Sequence, residues 1–151
     1  MDDLARALEL RRRLATWSDR AQREAADLAG GYRDLLAKRI TNAQLSGLHN
    51  VVQAAPSFRP IKQFVARQGE KATRAGRADV ADYWSAVGKA LDGLRREAEQ
   101  MWTAVPDGPP PDTPAGRQAL GEWHCRLVRE YVQHLVAHSL WARPAPSRPG
   151  S

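Results

Sequence analysis

The chain predicts an all-α fold, a compact bundle of about five to six helices in a single domain. Apolar residues recur at spacings of three and four along most of its length, which is the mark of amphipathic helices. No run alternates with period two, as a half-buried strand requires, and 151 residues suit one compact domain with a modest core.

The first element follows from Leu4, Ala7, Leu8, Leu10, Leu14, Trp17, Ala21, Ala25 and Leu28, which form one apolar stripe on a long helix. Asp2 and Asp3 lie in its first turn, where the helix dipole favours negative charge, and Gly30-Gly31 supplies a stop. Tyr32 to Arg39 continues it as a short piece after a kink. Thr41-Asn42-Ala43-Gln44 reads as a capping box opening a third helix, which buries Leu45, Leu48, Val51 and Val52 and ends before Pro56. Ser57 is placed to cap the fourth, with Pro60 tolerated in its first turn. Gly69 weakens the middle of that helix, so its last turns are expected to fray or bend.

Gly76 breaks the chain, and Asp79 is placed to cap a fifth helix through Val80, Tyr83, Trp84, Val87, Leu91, Leu94, Ala98, Met101 and Trp102. A proline-rich connector over 103–113 is expected to be stiff and extended. Thr113-Pro114 offers an N-cap with proline in the first helical position, and the last helix carries Leu120, Trp123, Leu127, Tyr131, Leu135, Val136, Leu140 and Trp141. The bundle domain is thus expected over 1–142, and 143–151, with three prolines, as a disordered tail.

Composition narrows the class. With 42% hydrophobic and 26% charged residues the chain resembles an ordinary globular domain rather than a disordered one. The absence of a signal-like or membrane-spanning apolar run leads to the expectation of a cytoplasmic protein with no membrane partner. One cysteine, Cys125, excludes an internal disulfide and a Cys-rich zinc framework.

Catalytic patterns are scarce. His134 and His138 lie four apart on one helical face, with His124, His49 and Glu130 as the nearest conceivable companions, but a zinc site needs further ligands converging from elsewhere. A phosphate-binding glycine loop, a nucleophile elbow and paired carboxylates on a shared helical face away from solvent are missing; Asp79 and Asp82, or Glu97 and Glu99, read as ordinary caps and solvated faces. Cys125 and His124 are adjacent and point in different directions, so a thiol-imidazole pair is not formed between them. The expectation is a protein without enzymatic activity, metal or cofactor.

The charge pattern is informative. The chain carries +6 formally, yet residues 38–77 hold Lys38, Arg39, Arg59, Lys62, Arg67, Lys71, Arg74 and Arg77 against Glu70 alone. The remaining three quarters are close to neutral. At about 100° per residue, Phe58, Ile61, Phe64, Val65, Gln68 and Ala72 share one face of the fourth helix, while Arg59, Lys62, Arg67, Lys71 and Arg74 occupy the opposite half. Like charges three and four apart repel by about 0.2–0.5 kcal/mol per pair, which a polyphosphate backbone would relieve. The third helix adds the uncharged donors Asn42, Gln44, Ser46, Asn50 and Gln53, suited to phosphate and 2′-hydroxyl contacts that read no sequence.

The segments Ile40-Thr41-Asn42-Ala43-Gln44-Leu45-Ser46-Gly47-Leu48, Ala54-Ala55-Pro56-Ser57 and Ile61-Lys62-Gln63-Phe64-Val65-Ala66-Arg67-Gln68 resemble the small helical subunit of type III CRISPR-Cas effector complexes. The resemblance covers about residues 40 to 102 and includes the threonine-glutamine-leucine turn that opens a helix near mid-chain. Many members have an arginine after the glutamine-leucine pair, where this chain has Ser46. The resemblance implies a bundle without an active site of its own, serving antiviral defence in a ribonucleoprotein. Its partners would be guide RNA and target RNA, other effector-complex subunits and further copies of itself.

Two binding functions compete, with a small metal-dependent or nucleolytic enzyme using His134 and His138 as a third reading. In the first, Lys38, Arg39, Asn42, Arg59, Lys62, Arg67, Lys71, Arg74 and Arg77 contact RNA backbone without sequence preference. In the second, the chain is a protein-interaction module anchored by tryptophans near helix ends, Trp102, Trp123 and Trp141, and its charge only keeps it in solution.

Overall fold

The computed structural model describes residues 2–141, in which six helices and no strand are present. They are α1 (Asp3–Gly31), α2 (Arg33–Lys38), α3 (Asn42–Ala54), α4 (Phe58–Arg74), α5 (Ala78–Ala104) and α6 (Pro114–Trp141). The expected tail at 143–151 lies outside the described residues. Among those described, no helix is long and apolar enough to cross a membrane.

The helix starts show which local signals operate. The Asp2 carboxylate accepts from the Ala5 amide at 2.7 Å, which satisfies an orphan donor of α1. At α3 the capping box is complete: the Gln44 amide donates to Thr41 Oγ1 at 3.1 Å, and the Thr41 amide donates to Gln44 Oε1 at 2.9 Å. Thr113 Oγ1 accepts from the Gly116 amide at 3.1 Å at the start of α6. Ser57 occupies the N-cap of α4 without a side-chain capping bond.

Three local expectations give way to tertiary packing. Asp79 lies inside α5 rather than before it, and the N-cap is Arg77; the Asp79 carboxylate takes the Val80 amide at 2.8 Å with Oδ1 and pairs with Arg39 from α2 through Oδ2. Helix α4 continues through Gly69 to Arg74. A Cβ at Gly69 would stand 3.7 Å from that of Trp84, so its small size lets α4 lie close to α5. The connector is not a stiff extended strap: it turns at Asp107, whose φ is 68°, and folds back so that Pro109 accepts from Trp102 Nε1 at 3.1 Å. Arg6 of α1 stacks on the same indole, 4.0 Å from its ring centre.

Helix α5 is the centre of the bundle and touches α4, α6 and α1. Its stripe of Val80, Tyr83, Trp84, Val87, Leu91, Leu94, Ala98, Met101 and Trp102 is buried, as its period predicts. Removing each large apolar side chain of this kind from water stabilises the fold by about 1.5–3 kcal/mol. Helix α1 runs antiparallel to α5, with Arg20 on Glu97 and Arg6 on Trp102. Helix α4 runs antiparallel on another side, with Lys62 beside Asp92 and Gly69 against Trp84. Helix α3 closes over α4, where the Phe64 ring meets Gly47; a Cβ there would come within 3.1 Å of that ring. This arrangement leaves one half of α4 facing outward between α3 and α5.

Candidate nucleic-acid interface

The inner face of α4 is held by Ile61, Val65 and Ala72, all buried, with Phe58, Phe64 and Gln68 half-buried beside them. Phe58 stacks at 4.4 Å on the His124 ring, and Phe64 meets Trp84 edge-on at 6.2 Å. These anchors fix the rotation of the helix. Arg59, Lys62, Arg67, Lys71 and Arg74 are consequently all exposed on its outward half, as the helical wheel predicts. From Arg59 to Arg74 the rise along the axis is about 22 Å.

The ridge is divided by the acids around it. Lys62 Nζ stands 3.6 Å from Asp92 of α5, and Arg74 stands 3.9 Å from Glu70 one turn away. Lys62 lies on the flank that faces α5, whereas Arg74 lies within about 20° of Arg67 on the wheel and reaches the same trough with its long side chain. Among the described residues no carboxylate comes within 4.0 Å of Arg59, Arg67 or Lys71. On the wheel, Arg67 and Lys71 are next to Phe64, so they occupy the flank that faces α3. There Ser46 and Asn50 are exposed as neutral donors, whereas Gln44 is half-buried and engaged in the capping box.

The remaining candidates gather at one end of the bundle. Lys38 and Arg39 close α2, Asn42 opens α3, and Arg77 lies in the turn between α4 and α5; all four are exposed. Arg39 Nη1 pairs with Asp79 at 2.5 Å, and Lys38 lines a cleft of about 630 Å³ with Asp79 and Asp82. Asp82 in turn accepts from the Tyr32 hydroxyl at 2.9 Å; burial first, and then this carboxylate, raise the tyrosine above its ordinary value. Among the described residues, Arg39 is the cation of these four that is ion-paired; Lys38 and Arg77, like Arg59, Arg67 and Lys71, have no carboxylate within 4.0 Å.

Further cations come from α5, where sequence reasoning followed only the core stripe. Arg95 lies close to His124, and therefore to the Phe58 end of α4, with exposed Arg96 beside it. The signal was present, since both fall on the outward half of the α5 wheel, but that half carries acids too and its neighbours are set by tertiary packing.

Of the tryptophans near helix ends, Trp102 and Trp123 are 8% and 6% exposed and belong to the core, which leaves neither as a surface anchor, while the side chain of Trp141 lies outside the described residues. Cys125 is buried, and burial pushes its thiol up, away from the reactive thiolate. His134 joins a small polar cluster that the sequence did not show. Ser18 Oγ donates to Glu130 Oε1 at 2.6 Å and stands 3.0 Å from His134 Nε2, and His134 Nε2 is 3.8 Å from Glu130. A nucleophilic triad needs the hydroxyl to donate to the imidazole and the carboxylate to hold the other ring nitrogen. Here the carboxylate itself accepts the hydrogen bond from the Ser18 hydroxyl. Among the described residues no group of three or more His, Cys, Asp or Glu side chains is placed to hold a metal ion.

A second feature borders the ridge. Between α4 and α5 runs an open trough of about 850 Å³ with an apolar floor that includes Val65, Trp84 and Leu91. Gly69 and Gly88 let the two helices approach, and its rim carries Lys62, Arg74 and Lys89 against Glu70, Asp82 and Asp92.

No family model, curated protein or solved structure matches the chain.

Proposed function

We propose that this chain is a non-catalytic RNA-binding subunit that holds a nucleic-acid backbone along the outer face of α4, as the small helical subunit of a type III CRISPR-Cas effector complex. The observation that carries the reading is the set Arg59, Arg67 and Lys71: exposed, on one half of one helix, and without a carboxylate within ion-pair distance among the described residues. Phosphate oxygens lying along this row would relieve the repulsion between the cations and release counterions from the RNA. Ser46 and Asn50 would add neutral hydrogen bonds from the neighbouring helix. With the ring of Phe64 turned toward Trp84 and that of Phe58 toward His124, contact runs to sugar and phosphate rather than to stacked bases. The machine is supplied by the resemblance of residues 40 to 102; the mode of contact is supplied by the ridge.

The reading is tested by charge reversal at equal cost in net charge. Arg67→Glu with Lys71→Glu should abolish retention of a single-stranded RNA at moderate salt, with helicity unchanged by circular dichroism. Arg11→Glu with Arg23→Glu, which removes as much charge from α1, should retain it. Equal loss in both variants, or in neither, contradicts the proposal. A protein-docking role draws support from the neutral-rimmed trough, and the two roles are compatible because they use different flanks of α4.

A further inference from the structure

We propose that the trough between α4 and α5 is the seat of the chain's own last segment, 142–151, which lies outside the described residues. This goes beyond the RNA reading and does not rest on it. The segment carries Pro144, Pro146 and Pro149, and its only charged side chains are Arg143 and Arg148. Proline-rich chains settle in grooves that hold aromatic rings, because their backbone is already restrained and loses little freedom on docking.

The bundle shows this chemistry once already. The Pro109 carbonyl of the connector accepts from Trp102 Nε1 at 3.1 Å, a bond that holds one proline-rich segment on an indole. The trough contains a second indole. Trp84 lines it together with Val65 and Leu91 and is 1% exposed, and its Nε1 is buried without a hydrogen-bond partner among the described residues. An enclosed N–H in that state calls for an acceptor. A backbone carbonyl of the last segment supplies one, as Pro109 does for Trp102.

The reach is sufficient. Helix α6 returns antiparallel to α5, with His124 on the Leu91 carbonyl. From His124 to Trp141 it rises about 26 Å, whereas from Leu91 back to Ala78 α5 spans about 20 Å. Helix α6 therefore ends just past the turn that joins α4 to α5, at the end of the trough marked by Thr73, Arg74 and Ala78. The level of Trp84 is about 15 Å back along the axis, and crossing one helix adds about 10 Å. Ten residues of extended proline-rich chain span about 31 Å. At that depth Arg148 is within range of two acids on opposite rims, Glu70 of α4 and Asp82 of α5. Glu70 stands 3.9 Å from Arg74, too far for a hydrogen bond, so its carboxylate is open to a second cation. A partner protein that docks in the trough has to displace the segment first.

Nuclear magnetic resonance of the nitrogen-15-labelled full chain tests this, with the Trp84 indole signal assigned through Trp84→Phe. Deleting 142–151 should shift that signal and speed its hydrogen exchange by about tenfold or more. Arg148→Glu in the full chain should move the signal the same way, and circular dichroism checks that both variants fold. A synthetic peptide of 142–151 should restore the signal in the shortened chain, saturably, and leave the full chain unchanged. As a second measurement, Gly150→Cys with Ser85→Cys in one chain should form an internal disulfide under mild oxidation of a dilute sample, with buried Cys125 left in place. Gly150→Cys with Ser46→Cys, whose partner position is on α3, should not. A Trp84 signal that is the same with and without the segment, a disulfide that forms only between chains, or equal bonding to Ser46→Cys would overturn the proposal.

Discussion

His124 illustrates how a single side chain is governed by the whole bundle. Its ring is 2% exposed, stacked on Phe58, and donates from Nε2 to the Leu91 carbonyl at 3.0 Å. Burial holds the imidazole below its ordinary value; the Leu91 hydrogen bond opposes that shift, and nearby Arg95 adds to it. The unfolded chain, with an ordinary histidine, takes up a proton near pH 6.5 that the folded chain refuses. This part of the stability is therefore complete above pH 6.5 and declines as pH falls toward the depressed folded value. Thermal melts between pH 7 and pH 5 should show a falling midpoint in wild type and a smaller fall in His124→Gln; an equal fall in both would contradict the assignment. Tyr131 belongs to the same regime, since burial pushes its phenol up to about 12. Neither shift is legible in the sequence, where His124 is one of several polar residues along α6 and only packing reveals which are enclosed.

At the level of elements, the signals that were legible are the ones whose partners lie within one turn. The Thr41–Gln44 box needs only three residues of sequence, and it forms as read. Its loss is measurable: Thr41→Ala should cost about 1 kcal/mol and lower the melting temperature by about 2–4 °C. An unchanged melting temperature would mean that α3 is held by packing on α6 alone. Helical periods were legible for the same reason, because the buried stripe of α5 is a property of its own spacing. Elements whose fate depends on distant partners were not. Gly69 reads as a weak point locally but works as a close-packing site against Trp84. Asp79 reads as the cap before α5 but lies inside its first turn, where one oxygen takes the Val80 amide and the other answers to Arg39, forty residues earlier. The 103–113 connector reads as extended from its prolines, yet the indole of Trp102 and the guanidinium of Arg6 draw it back onto the bundle.

Across the whole molecule, a row of cations without ion-pair partners among the described residues and an apolar-floored trough with a mixed-charge rim adjoin on one helix, α4. The sequence showed an excess of cations in one quarter of the chain and a wheel that turns them outward. It did not show that Asp92 and Asp79 would compensate Lys62 and Arg39, because those acids belong to a helix whose placement only the tertiary fold defines. The result is a narrower candidate site than the full set of eight cations, centred on Arg59, Arg67 and Lys71. The compensated flank toward α5 became the trough, a feature that exists only where two helices meet.

The salt dependence of RNA binding tests the central claim most directly. Each phosphate neutralised on a single strand contributes about −0.7 to the slope of log affinity against log salt. Replacing Arg59, Arg67 and Lys71 together by glutamine should make the wild-type slope shallower by about 2, with no dependence on RNA sequence. A wild-type slope near zero, or a slope that the triple variant leaves unchanged, would contradict a phosphate track on α4.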